Sequence, residues 1–367
     1  MSLFRKKRID AAIVVDIGSG SVGAAYLTLS KGTRPTLHYG VRIKHREMSD
    51  VAATVKEAVR SLVAHGSSML RDATGSGRAD VALVAVASPW QRTHVEERVR
   101  DAETAFPVTR GLLEELSKAD ENLPEGHDPL DSAIIATSLN GYAIEEPVGK
   151  RAKRLEAVVM SSSIERLLKS AADNALKSEA HLTGAAFASF PWVSYSSLSA
   201  LYPHERDYLI MDAAGLATDI TLVSRGRVAR VASCGAGLAT LLSPRIEAGA
   251  ESIEEGVHVT RDTKTERFSA AGAKDWLAGC ILAFKDLSEH QALPRKLFLL
   301  ADETFGQTVK TLLADASVRS LWLSDEPLSI IIVSPSQLQS AIVPLGQGSD
   351  DIFLMLAGYH AARVYTQ

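Results

Sequence analysis

Cysteine is scarce: only Cys234 and Cys280 occur in 367 residues. Two are too few for a disulfide framework and their spacing fits no metal motif, so a reducing compartment is the default expectation. Long apolar runs are missing too. None approaches the roughly 18 residues that span a bilayer, and the N-terminus lacks the apolar core of a signal peptide. These absences predict a cytoplasmic protein. Charge is nearly balanced, 40 basic against 44 acidic side chains, which gives no general field for nucleic acid, and no such partner is expected. The ten histidines form no H-E-x-x-H and no Cys/His cluster, so a metalloenzyme is not predicted. Neither G-x-S-x-G nor G-x-x-x-x-G-K-[ST] occurs.

What is present is one α/β pattern, twice. Ala11-Ala-Ile-Val-Val-Asp16 reads as a buried strand ending in a carboxylate, and Ile17-Gly-Ser-Gly-Ser-Val-Gly23 as a small-residue loop. Strands follow at Ala24 to Leu29 and Thr36 to Ile43, separated by a turn at Lys31-Gly32. Ser49-Asp50 then caps a helix with Val51, Val55, Val59, Leu62 and Val63 at helical spacing. The second copy runs from the strand Tyr208 to Met211 and its Asp212, through Ala213-Ala-Gly-Leu-Ala-Thr-Asp219, to strands at Ile220 to Val223 and Val228 to Ala232. Gly235-Ala-Gly237 then opens a helix through Leu238, Leu241 and Leu242. The turn follows the carboxylate by 15 residues in one copy and by 13 in the other. Further strands are expected at Val81 to Ala87 and Leu297 to Ala301. This order predicts two duplicated α/β domains.

Gly18, Gly20 and Gly23 spell G-x-G-x-x-G, but the dinucleotide fingerprint needs a helix next and an acidic residue about 20 positions on. Strand-like alternation follows instead, and no acidic residue lies between Asp16 and Glu47. A hairpin is predicted. Its exposed N–H groups can form an anion nest, with hydroxyls from Ser19 and Ser21. Asp16 repels phosphate but can hold Mg²⁺ through water, because Mg²⁺ keeps much of its hydration shell. Asp212 would face the same ion across a cleft.

Ser88 to Met160 separates the copies and reads as a small inserted α+β subdomain, with a helix over Val108 to Leu116 and strands at Ser132 to Thr137 and Leu155 to Met160. Helices are expected at Ser163 to Leu176, over much of Glu251 to Ala292, and at Asp350 to Val364. The basic start, Arg5 to Arg8, suits a solvated tail or a weak contact with anionic lipid.

Asp16-Ile-Gly-Ser-Gly-Ser-Val resembles the first phosphate loop of the actin-like ATPases FtsA and PilM, and Asp212-Ala-Ala-Gly-Leu-Ala-Thr-Asp219 is similar to their second, with alanines and Leu216 replacing glycines and a threonine. Cys234-Gly-Ala-Gly-Leu-Ala-Thr240 resembles their G-G-x-x-I-T segment. Asn140-Gly-Tyr-Ala-Ile-Glu-Glu-Pro-Val-Gly149, followed by Arg154-Leu-Glu, resembles the end of the FtsA insertion. The resemblance implies duplicated actin-like (ribonuclease H-like) domains with an SHS2-like insertion. The implied division is 1–87 and 161–204 for the first domain, 88–160 for the insertion, 205–345 for the second domain, and 346–367 for a helix packing back on the first. It implies ATP or ADP with Mg, held by Asp16, Gly18, Ser19, Gly20 and Ser21 from one side and Asp212, Gly215 and Thr218 from the other, with Gly235 and Gly237 near the nucleoside. The ending at Gln367, without an FtsA-type membrane helix, favours PilM. That family sits at the inner face of the cytoplasmic membrane and grips the cytoplasmic tail of an inner-membrane partner; self-association or filament formation is also implied. An FtsA-like division protein, a small-molecule kinase of the same fold, and an interaction module without a ligand are the alternatives.

Overall fold

Every residue of Ala11–Ile17 is buried, as a strand covered on both faces requires. This strand, β1, pairs antiparallel with β2 (Ser21–Thr28) and parallel with β4 (Val81–Val86). Beyond them lie β3 (Thr36–Lys44), antiparallel to β2, and β9 (Ala186–Ser189), parallel to β4. A two-residue strand, β15 (Val343–Pro344), completes this sheet beside β3. The computed structural model describes residues 9–45, 50–118, 123–246, 269–289, 291–322 and 326–366.

The second sheet repeats the first. Its central strand β10 (Tyr208–Ala213) is antiparallel to β11 (Thr218–Ser224) and parallel to β13 (Lys296–Leu300). β12 (Arg227–Cys234) and β14 (Ser329–Ile332) lie outside these. The orders β3-β2-β1-β4-β9 and β12-β11-β10-β13-β14 match strand for strand in position and direction. The duplication expected from the two carboxylate-loop patterns is therefore present as topology.

The two sheets are joined by a shared core. Val14 and Leu27 from the first and Ile210 and Phe298 from the second pack with the helices Phe190–Leu201 and Ile352–Tyr365 in one buried cluster. The outer face of the first sheet is covered by the helices Val51–Thr74 and Arg166–Glu179. That of the second is covered by Ala270–Ser288 and Glu303–Leu313. Among the described residues, no helix is long and apolar enough to cross a membrane. The basic tail, Ser49 and residues 251–268 of the helical stretch expected over Glu251 to Ala292 lie outside the described residues.

A third sheet, β5-β8-β6-β7, is inserted in the chain between β4 and β9 of the first sheet. It is built from β5 (Gln91–Pro107), β6 (His127–Leu139), β7 (Tyr142–Ala143) and β8 (Arg151–Glu165), with the short helix Arg110–Leu116. Two sequence expectations need correction. The helix expected from Ser163 begins at Arg166, because Ser161, Ser162 and Ser163 continue β8 as buried, paired residues. Asp50 occupies the cap position of its helix, but its side chain makes no capping hydrogen bond.

Candidate functional site

Because β1 and β10 hold equivalent places, the carboxylates near their ends, Asp16 and Asp212, and the loops that follow face one another. The first loop is closed by Gly18 N–H donating to the Ser21 carbonyl at 3.0 Å. The Gly18 carbonyl is held twice more, by the His45 ring Nε2 at 3.0 Å and the Trp90 indole N–H at 3.3 Å. A carbonyl can only accept, so His45 carries a proton on Nε2; burial lowers its pKa and favours the neutral ring.

The two loops touch. Leu216 N–H donates to the Ser19 hydroxyl at 3.0 Å. A Cβ added at Gly215 would stand 2.7 Å from Gly20 Cα, so only glycine permits this approach. Beside the contact is a cavity of about 270 Å³ lined by Asp16, Gly18, Ser19, Gly20, Ser21, Asp212 and Gly215. Its walls include Leu238, Phe305 and Phe353. The volume falls just under the ~300–1,000 Å³ usual for small-molecule sites.

The charges inside are distributed unevenly. Arg42 of β3 donates to Asp16 at 2.8 Å, to Ser21 at 3.0 Å, and to both oxygens of Asp351 at 2.5 and 3.0 Å. Its guanidinium also lies 5.4 Å from the Phe353 ring centre. Asp351 in turn caps the helix Ile352–Tyr365 by accepting from Phe353 and Leu354 N–H. Burial raises the pKa of Asp16, and Arg42 opposes it. Asp212 lacks such a partner: its Oδ1 is buried with no hydrogen bond among the described residues. Burial pushes its pKa well up, reinforced by Asp219 and Asp16. Asp219, opposite it on β11, is also raised by burial but accepts from Ser233, Ser88 and Gln91.

Seven of the ten sequence-selected residues thus line one cavity. Thr218 does not: it is fully buried, donates to the Ala236 carbonyl at 2.7 Å and accepts from the Trp276 indole. Gly235 borders a separate surface recess. Gly237 packs on backbone, where a Cβ would come within 2.4 Å of the Ala214 carbonyl. Arg42 and Asp351 escaped the sequence reading, since neither belongs to either loop pattern. Asp302 also lines the cavity and accepts from Phe305 N–H at 3.0 Å as a helix cap.

No family model matches the sequence, and neither does any curated protein. Among solved structures, the chain resembles one from a PilM–PilN type IV pilus biogenesis complex, at 14% identity and a TM-score of 0.61, over 98% of this chain and 99% of that one. The fold is actin-like. Weaker likenesses are to a Bacteroides thetaiotaomicron protein with an actin-like ATPase fold (11% identity, TM-score 0.42, 97% and 98% covered) and to the ethanolamine utilization protein EutJ of Carboxydothermus hydrogenoformans (10%, 0.48, 96% and 93%).

The ligand expected of an actin-like cleft, a magnesium nucleotide, fits these residues unequally. Asp212 offers an unpartnered buried oxygen, which suits a cation. Asp16 is already paired with Arg42, which it shares with Asp351. Among the described residues, no group of three or more His, Cys, Asp or Glu is placed to hold a metal, so a cation here would have to retain most of its water, as Mg²⁺ does.

Proposed function

We propose that this chain is a nucleotide-binding scaffold of PilM type, in which Mg-ATP or Mg-ADP sets the shape of the cleft. The observation that carries this reading is the buried, unpartnered Oδ1 of Asp212 between two apposed hairpin loops. Asp212 would hold hydrated Mg²⁺, with Asp16 kept ready by Arg42. Gly18, Ser19, Gly20, Ser21 and Gly215 would receive the phosphates, and the bound cation would neutralise their charge. Entry of a nucleotide would part Gly20 from Gly215 and take the Ser19 hydroxyl from Leu216. The ligand would therefore report its presence as a loop displacement.

Turnover is expected to be slow. Ala213, Ala214, Leu216 and Ala217 stand where a glycine- and threonine-rich loop would present donors, and losing one transition-state donor costs about 3 kcal/mol. In this proposal the protein works at the inner face of the cytoplasmic membrane. Its inserted subdomain, residues 88–160, grips the tail of an inner-membrane partner, and copies of the chain self-associate. The basic tail, Arg5 to Arg8, adds only a weak, salt-sensitive membrane contact. Single-turnover assays with saturating Mg-ATP, alongside phosphoryl transfer to sugars and acetate, test the scaffold reading. Binding without sustained phosphate release is expected; robust transfer to either acceptor would replace the scaffold with a kinase.

A further inference from the structure

The molecule's two cysteines, far apart in sequence, meet beside the second loop. Cys234 ends β12 and is partly exposed, bordering a shallow surface recess of about 650 Å³. Cys280 is fully buried on the helix Ala270–Ser288. Cys280 neighbours Gly279 on that helix, which places its thiol close enough to stabilise a thiolate on Cys234. The helix passes close by: a Cβ at Gly279 would lie 3.6 Å from Cys234 Sγ. Cys234 also donates to the Ala236 carbonyl at 3.6 Å, the same oxygen that binds the Thr218 hydroxyl.

We propose that Cys234 and Cys280 are a peroxide-reactive thiol pair, with Cys234 as the attacking sulfur and Cys280 as the resolving one. The Cys234 thiolate attacks one oxygen of hydrogen peroxide, the O–O bond breaks, and hydroxide leaves, giving a sulfenic acid on Cys234. The Cys280 sulfur then attacks Cys234, loses its proton, and displaces the hydroxyl group as water. Two thiols lose two electrons in forming one disulfide, and the peroxide is reduced to two waters. A thiol reductant reverses the bond by exchange.

The asymmetry in exposure assigns the roles, because Cys234 is partly exposed and borders the surface recess whereas Cys280 is buried. Electrostatics agrees: the Cys234 thiol is lowered to about 7, chiefly by the neighbouring Cys280 thiol, whereas burial pushes Cys280 up. At neutral pH more of Cys234 is then thiolate than of an ordinary thiol, which suits it to the attacking role. The crosslink would tie β12 to its covering helix next to Ala236, so the second loop would sense the redox state independently of any nucleotide.

The full chain is treated with hydrogen peroxide, quenched with iodoacetamide, and mapped by mass spectrometry. A Cys234–Cys280 linked peptide that dithiothreitol releases is the expected product. In Cys280→Ala, the sulfenic acid on Cys234 should persist and be trapped by dimedone, and the pH midpoint for Cys234 alkylation should rise. In Cys234→Ala, Cys280 should resist both reagents while the protein is folded. Oxidation of Cys234 to sulfinic acid without a linked peptide would overturn the proposal, as would an alkylation midpoint that Cys280→Ala leaves unmoved.

Discussion

At Asp212 a carboxyl is buried without a partner for one oxygen, and its raised pKa sets the sign of a pH effect. Below about pH 4 the carboxyl is protonated in both folded and unfolded chains. As pH rises, the unfolded chain releases its proton first, so this residue's contribution to stability falls until the raised folded pKa is passed. Asp212→Asn should therefore stabilise the protein at pH 7, by on the order of 1–2 kcal/mol, the scale of one unsatisfied buried polar group. The gain should vanish below about pH 4. Urea unfolding at several pH values checks this, and a pH-independent difference would contradict it. Arg42 has the opposite character. Arg42→Ala would leave Asp16 and Asp351 facing each other unneutralised and should cost about 3 kcal/mol by the same assay. Arg42→Lys should recover only part, since an ammonium cannot fork across both carboxylates. Asp16 and Asp212 were legible in the sequence because each ends an apolar run before a small-residue loop. Arg42 was not, because its partners lie 26 and 309 positions away and only the folded sheet brings them together.

The loops and strands show a similar division. Both carboxylate loops could be read from the sequence because each follows an apolar run that ends in Asp and is itself rich in small residues, glycine and serine in the first and alanine and glycine in the second. Their contact could not, since it depends on how the two sheets meet. Gly215 is the sharpest probe of that contact. Gly215→Ala should push the loops apart and destabilise the fold by roughly 1–3 kcal/mol, the usual cost of overpacking. Retention of full stability would mean that the loops separate freely. β5 was missed for a different reason. Its Arg92, Glu96, Glu97, Arg98 and Arg100 give no apolar alternation, and its pairing comes from β8. Thr218 was misassigned because a hydroxyl in a loop pattern looks the same whether it faces a ligand or, as here, Ala236 and Trp276.

Across the whole molecule, the repeated pattern exposed the duplication, but the joint between the copies emerges only from the fold. The helix Ile352–Tyr365 packs in the core shared by both sheets, and its cap Asp351 binds Arg42 in the cleft. Leu354→Ala, at a fully buried position in that core, should cost about 2–5 kcal/mol and lower the stability of both halves together. Separate unfolding of the halves in calorimetry would contradict that coupling. In the function proposed above, the cleft binds a magnesium nucleotide through Asp212. The most direct test is the thermal unfolding of wild type and Asp212→Asn with ATP, each with and without Mg²⁺. Ligand at 100 times its dissociation constant should stabilise the wild type by about 2.7 kcal/mol, and the magnesium-dependent part should disappear in Asp212→Asn. An equal magnesium-dependent shift in both proteins, or none in the wild type at millimolar Mg-ATP, would contradict the account.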